Sequence, residues 1–305
     1  MAPKKRKAVR APFDDGDGHR ATNKRIRNRA SPSAFVKIYE ILTVDQKATV
    51  VTMELDSMLD IKCFYLHSGL IKWLTSLYDP SSHEFVIPGR GRIPLDDRSA
   101  FRTLGLPIGS EEVFYSVDSD AEASLGPTLF PDDVSTPFFS RVCELLMDMT
   151  ASDDKFKQLY LMFLVSIILR PTTRNRVSNR VYRVMANIDN VTNLNWCKFV
   201  VDEHHNALSE GKFNKGCLFH LQLLYVDSLD TSGLDIDLPE GRYAVNIWSA
   251  ENIDKVLAAD LNQDGTYGKL GLKPEFGVNH SLFGGAEGFD RWFNTNSHPA
   301  CPNQE

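Results

Sequence analysis

The chain has 305 residues, 42% of them hydrophobic and 10% aromatic, which is enough to bury a sizeable core in one large or two modest domains. Its net charge of -6 is uneven, because residues 1–30 carry +7 and the remainder carries -13. The five cysteines are scattered without a C-x-x-C pair, which argues against a zinc site or a disulfide framework and favours a reducing compartment. The longest apolar run, residues 159–169, is too short to span a membrane, so we expect no membrane association.

Residues 1–34 are rich in proline, glycine and charge and lack apolar periodicity, which predicts a disordered basic tail. Two clusters of cations in this tail are typical of a nuclear-import signal, an extended basic peptide that binds an acidic groove of an import receptor. The alternative is a solvated charge run without a receptor. The same cations are also able to contact nucleic-acid phosphates weakly and without sequence selectivity. The import residues are Lys4, Lys5, Arg6, Lys7, Lys24, Arg25, Arg27 and Arg29.

Folding is expected to start near Phe35. Thr43 and Gln46 form a capping box, which predicts the start of a helix. The next helix is predicted from apolar residues at i, i+4, i+7, i+8 and i+11, a spacing that places them on one face. These residues are Leu66, Leu70, Trp73, Leu74 and Leu77.

The stretch of residues 84–97 has two glycines and two arginines between alternating apolar residues. The alternation predicts a two-stranded hairpin with Gly89 and Gly91 in its turn. A phosphate-binding loop would instead need a longer glycine-rich turn that ends in Lys-Ser/Thr at a helix. The alternative interpretation is an anion site built on Arg90 and Arg92.

After the hairpin, Asp96 is predicted to cap a short helix that ends at Gly105. Residues 106–134 are acidic with several prolines and glycines, which predicts a surface loop. Thr136 and Pro137 predict the N-cap and first turn of the next helix. Further helices are predicted at residues 152–169, 195–208, 216–229, 249–259 and near 289–293, and a strand at 243–247. The predicted fold class is therefore mainly α, a single α-helical domain with one small β-hairpin over residues 35–295, followed by a disordered C-terminus at 296–305.

Several patterns could carry chemistry. Residues 260–271 begin like a calcium loop, but Gly271 stands where the bidentate acid belongs, so a helix-ending Asx turn is predicted rather than weak calcium binding. The adjacent His204 and His205 point about 100° apart on a helix, which predicts a solvated face, with a metal or general-base site as the alternative. His220 is predicted to be hydrogen-bonded and partly buried.

Cys143, Cys197 and Cys217 all lie in helical apolar patterns, where an inert buried thiol is expected. The sequence has no G-x-S-x-G nucleophile elbow, and no lysine lies in an apolar setting that would favour an aldimine cofactor. We therefore predict no catalytic residue, no metal and no cofactor.

Three segments carry a family resemblance, namely residues 85–109, the helix pair at 160–177 and 195–208, and residues 215–230. Their order resembles the plant mobile domain, the so-called aminotransferase-like family spread by plant transposons, particularly its grass versions. The resemblance implies a transposon-derived nuclear protein, linked in some members with genome silencing and development, and no aminotransferase chemistry. Several longer relatives carry a SUMO-peptidase-type protease downstream, which we do not expect in this chain.

The leading expectation is a nuclear, non-catalytic protein-interaction module with an unidentified nuclear partner. The first alternative is a nucleic-acid-binding protein of mobile-element origin, which a Lys/Arg stripe on one face would favour and the charge of -13 opposes. The second is an enzyme, which would need His204, His205, Asp202 or Cys197 within hydrogen-bond distance of one another.

Overall fold

The computed structural model describes residues 31–131, 136–172 and 174–276. Within these ranges the chain is mainly α, as the periodicity predicts. The helices are α1 (Pro32–Ile41), α2 (Val44–Thr52), α3 (Ser68–Thr75), α4 (Asp97–Leu104), α5 (Ser119–Leu129), α6 (Phe139–Asp148), α7 (Asp154–Leu164), α8 (Val181–Met185), α9 (Trp196–Ser209), α10 (Leu218–Ser228), α11 (Ala244–Ile247) and α12 (Ala250–Asp260). Shorter 3-10 helices lie at Asp56–Leu59, Ile188–Asn193 and Pro274–Phe276.

The predicted hairpin is confirmed and belongs to a three-stranded antiparallel sheet. Strand β1 (Tyr78–Asp79) pairs with β2 (Glu84–Ile87), and β2 pairs with β3 (Gly91–Pro94). The two turn glycines have φ values of 68° and 143°, which L-residues with a side chain rarely adopt. The glycines therefore serve the turn. The short strand β1 has no signal of its own in the sequence.

The core is built around α7, whose last turn continues as a π-helix, Val165–Leu169. Every side chain from Leu159 to Leu169 is buried, because α1, α2, α6 and α8 pack around this segment. A second layer consists of α4 packed between α9 and α10. The helix predicted at residues 152–169 is thus confirmed, although it begins at Asp154.

The predicted helix caps are mostly confirmed. The Thr43 hydroxyl accepts a hydrogen bond from the Gln46 backbone amide, and the Gln46 side-chain oxygen accepts one from the Thr43 backbone amide. These two bonds complete the capping box of α2. Asp96 caps α4 through the Ser99 amide, and Ser249 caps α12. Local side-chain chemistry therefore fixes these helix starts without help from distant residues.

Other boundaries differ from the predictions. α1 begins at Pro32, before the expected start near Phe35, since proline is well tolerated in a first helical turn. The predicted loop at 106–134 is wrong in part, because Asp118 caps α5, whose C-terminal end packs Leu129 into the core. The predicted Thr136 cap is wrong, since α6 begins later, with Phe138 at the N-cap position and no side-chain cap.

The strand predicted at 243–247 is also wrong, because Ala244–Ile247 forms the short helix α11. Its length of four residues is too short for periodicity to separate the two structures. The predicted import residues, the helix near 289–293 and the C-terminal segment 296–305 lie outside the described residues. No helix in the described ranges has the length and apolar character needed to cross a membrane.

Candidate functional site

The two hairpin arginines are occupied by neighbouring groups. Arg90 donates from Nε to the Gly268 carbonyl at 3.0 Å and from Nη2 to the Lys269 carbonyl at 3.0 Å. Arg92 donates from Nη1 to the Glu84 carboxylate at 2.9 Å. The anion contact stays a prediction, and an incoming anion would have to compete with these oxygens.

The calcium-like segment is a structural turn. The buried Asp260 carboxylate accepts from the Tyr225 hydroxyl at 2.6 Å and from the amides of Gly268 and Leu270 at 3.0 and 2.8 Å. Asp264 accepts from the Thr266 amide, which is the predicted Asx turn. Nowhere in the described ranges do three or more His, Cys, Asp or Glu side chains form a group suited to a metal ion.

The adjacent histidines lie in opposite environments, so the predicted solvated face is wrong for His204. The His204 ring is fully buried 5.4 Å from the ring of His220, and burial holds its pKa well below the usual value. It lies flat on Gly216, where a Cβ would come within 2.7 Å of Nδ1. His205 points the other way, with Nδ1 2.6 Å from the Tyr78 hydroxyl and its ring stacked 3.9 Å from His83.

His220 is fully buried rather than partly buried. Burial lowers its pKa to about 3, and neither ring nitrogen makes a well-aligned hydrogen bond to the described residues. The pair of buried imidazoles is therefore neutral, which suits core packing between α9 and α10.

The cysteines are poor nucleophiles. Cys197 and Cys217 are buried, and burial raises the pKa of both, that of Cys217 to about 12. Cys143 is partly exposed, and burial raises its pKa to about 11. The predicted burial is confirmed for Cys197 and Cys217 and is wrong for Cys143, which lies on a partly exposed side of its helix.

The four side chains named for the enzyme alternative have separate partners in the described part of the chain. Cys197 donates to the Leu106 carbonyl at 3.2 Å, whereas Asp202 pairs with Lys198. His204 and His205 contact the different partners already described. Among the described residues, no hydrogen bond joins any two of these four side chains.

A run of four exposed or partly exposed arginines forms a different candidate site. We call it the arginine strip, and it consists of Arg174, Arg176, Arg180 and Arg183. After the π-helix, the chain runs beside residues 136–139, where the Phe139 amide donates to the Asn175 carbonyl and the Val177 amide to the Pro137 carbonyl, before it enters α8. Arg174, Arg180 and Arg183 are exposed and Arg176 is partly exposed.

Two arginines of the strip lie over exposed phenyl rings. Arg176 sits 3.9 Å above the ring centroid of Phe138 and donates to the Thr136 carbonyl at 2.8 Å. Arg183 sits 5.1 Å from the ring centroid of Phe114 and donates to the Ser116 hydroxyl at 3.1 Å. The two rings remain 50% and 57% exposed. These contacts orient the guanidinium groups, and other N–H donors of both groups have no partner among the described residues.

The strip also differs from the other arginines in its charge balance. None of its four arginines has a carboxylate within 4 Å in the parts of the chain that the structure describes. By contrast, Arg92, Arg102, Arg141 and Arg170 each pair with an acid, at 3.5 Å or less in every case. The strip therefore presents positive charge that no carboxylate of the described residues balances.

An acidic cleft of about 210 Å³ lies near Arg180, whose charge acts on Tyr115 in the cleft wall. Lys198 bridges Glu112, at 3.4 Å, and Asp202. Glu203 pairs with Arg170. Tyr115, next to Phe114 in the chain, lies deep in this cleft, and burial raises its pKa. Both signs of charge therefore meet where the cleft borders Arg180.

Sequence reasoning missed the strip because residues 160–177 were interpreted as a helix and its end. A signal was present, since residues 170–183 hold five arginines and no acid. This is the kind of basic run that would favour the nucleic-acid alternative.

The comparisons with known proteins give one match. A family model described as Domain of unknown function (DUF8566) matches residues 28–222. The chain belongs to this family. The matched range includes the whole arginine strip and the acidic cleft. No curated protein and no solved structure matches the chain.

Proposed function

We propose that the chain is a nuclear, non-catalytic protein-interaction module derived from a plant mobile element and related to the plant mobile domain. The observation that carries the proposal is the arginine strip, with four arginines that lack a carboxylate among the described residues and two half-exposed phenyl rings. Arginine and aromatic side chains are enriched at protein interfaces and dominate their energetics. A role in genome silencing or development follows from the resemblance alone.

The absence of catalysis is supported by the way in which the reactive side chains are used. Asp260 holds a turn, His204 and His220 fill the core, and Cys197 is buried with a raised pKa. Each of these groups has a structural role that accounts for its position. A catalytic site would instead hold a nucleophile or base ready to face a substrate.

Charge reversal on the strip tests the proposal. Full-length chain with Arg174→Glu and Arg180→Glu is compared with wild type by crosslinking and mass spectrometry in nuclei. The matched control is Lys37→Glu with Lys269→Glu, two exposed lysines on other elements that give the same change in charge. The proposal expects crosslinked proteins that wild type and control retain and the strip variant loses. Identical sets for all three chains would contradict it, provided that their thermal unfolding agrees.

Nuclear delivery is a separate part of the proposal and rests on the two basic clusters. Replacement of Lys4, Lys5, Arg6 and Lys7 by Ala, together with Lys24, Arg25, Arg27 and Arg29, should move the protein out of the nucleus. A tandem fluorescent fusion prevents passive diffusion of this 34.4 kDa chain from hiding the result. Unchanged nuclear accumulation of the eightfold variant would rule out import by these clusters.

Nucleic-acid binding is the second candidate function, because the strip is basic and carries aromatic rings. Residues 31–305 nevertheless carry -13 in total, and the acidic cleft borders the strip. A duplex that runs past the strip would meet this negative surface. Protein binding therefore remains the better-supported function.

A further inference from the structure

We infer that the arginine strip binds an acidic, extended segment of the partner protein, with Asp or Glu carboxylates on its guanidinium groups. The inference rests on the proposed function and specifies the chemistry of the partner.

Two guanidinium groups of the strip are held in fixed orientations that suit carboxylate binding. Arg176 and Arg183 are each fixed by one hydrogen bond to a neighbouring oxygen and by a phenyl face. Each hydrogen bond uses a single terminal nitrogen, and no described residue uses the remaining N–H donors of the planar fork, which match a bidentate carboxylate. Because these side chains are already oriented, they lose less conformational entropy when a partner binds than free arginines would.

The arrangement of the strip along the chain suits an extended peptide. Its four arginines lie within ten consecutive residues, which span at most about 35 Å even when fully extended. Arg176 is paired across from Phe138 in a short antiparallel bridge, and Arg180 and Arg183 lie three residues apart at α8. Residues three apart on a helix share a face, so both of these can meet the same segment.

The charge of the surroundings favours an acidic protein segment over a nucleic acid. Apart from residues 170–183, the chain after residue 30 holds 19 Lys and Arg against 37 Asp and Glu. A nucleic-acid backbone carries charge along its whole length and would be repelled beyond the strip. A protein segment can confine its acids to the strip and keep the rest of its length free of negative charge.

The test must separate the strip from the basic tail, which would also attract acidic probes. The full chain therefore carries Gln in place of the eight import cations, and we call this protein the tail-neutralised chain. The first probe is a fluorescent peptide of about twelve residues with alternating Glu and Ser, which can span the strip at ~3.3 Å per residue. The second probe is a single-stranded oligo(dT) of similar charge. Binding is measured by fluorescence anisotropy at low and at physiological salt.

We expect the Glu peptide to bind the tail-neutralised chain more tightly than the oligo(dT) does. Arg174→Glu with Arg180→Glu should weaken peptide binding by about tenfold or more, equivalent to ~1.4 kcal/mol, whereas Lys37→Glu with Lys269→Glu should change it less than about twofold. Tighter binding of oligo(dT) that depends on the strip would overturn the inference in favour of nucleic acid. Equal effects of the two charge reversals, or no peptide binding, would also overturn it. If crosslinked partners still depend on the strip in that case, the proposed function survives and only the acidic chemistry is wrong.

Discussion

The hairpin arginines and the arginine strip look alike in the sequence, yet they differ in what surrounds them. Arg90 and Arg92 are exposed arginines beside glycines, and the carbonyls of residues 268 and 269 and the Glu84 carboxylate use their donors. Arg174 and Arg180 make no such contact with the described residues. An arginine is therefore available for binding only where the fold places no acceptor against its guanidinium group. Residues distant in the sequence decide whether it does.

The largest expected effect on stability comes from replacing the buried Asp260. Asp260→Ala removes the acceptor for the Tyr225 hydroxyl and for two backbone amides, so buried donors lose their partner. We expect a loss of about 3 kcal/mol in the free energy of unfolding, measured by urea denaturation. Asp264→Ala, in the exposed part of the same turn, should cost much less.

Equal losses for the two variants would contradict the structural role of Asp260. Stabilisation of the wild-type chain by added calcium would do so as well, because the turn would then bind the ion.

The buried histidines differ from both sets of arginines, because they are shielded from solvent and form no ion pair among the described residues. The folded pKa values of His204 and His220 lie below the unfolded value of about 6.5, so below that pH the unfolded chain binds more protons. Their contribution to stability is complete above pH ~6.5 and is lost as the pH falls, by up to about 1.4 kcal/mol per pH unit for each histidine. Urea denaturation between pH 7.5 and pH 5 measures this slope.

His220→Phe removes one of these two fully buried imidazoles and should lower the slope by up to about 1.4 kcal/mol per pH unit. His67 and His205, whose pKa values are also lowered, contribute equally in both chains. The same slope in the variant and in wild type would show that His220 is already protonated in the folded chain.

The smallest expected effect is the difference in unfolding free energy between two single arginine substitutions. Arg90→Ala should reduce the free energy of unfolding by about 1 kcal/mol, because it loses two bonds to carbonyls. Arg174→Ala should stay within about 0.5 kcal/mol, as is usual for a surface residue without a partner. Thermal unfolding of both variants gives the comparison, and a larger loss for Arg174→Ala would reverse it.

Local chemistry explains which parts of the fold were predictable. The capping box at Thr43, the Asp96 cap and the turn glycines Gly89 and Gly91 each depend on residues a few positions apart, and all were confirmed. The buried segment from Leu159 to Leu169 was likewise visible as an apolar run. By contrast, α11 was too short to show a period.

The candidate site was not predictable from local pattern because it depends on long-range partners. Arg90 donates a hydrogen bond to a carbonyl 178 residues away in the sequence, and His204 packs against a residue of another helix. Arg176 and Arg183 acquire their orientation from Phe138 and Phe114, which precede them by tens of residues. The sequence showed the cluster of arginines in residues 170–183 but not whether acids would neutralise it.

We expect partner binding at the strip and not at the arginines that the fold already uses. The side-chain Nε–Hε NMR spectrum of the ¹⁵N-labelled tail-neutralised chain tests this as the Glu peptide is added. The resonances of Arg174, Arg176, Arg180 and Arg183 should shift, while those of Arg90 and Arg92 should stay in place. Shifts confined to Arg90 and Arg92, or spread equally over all the arginines, would contradict it.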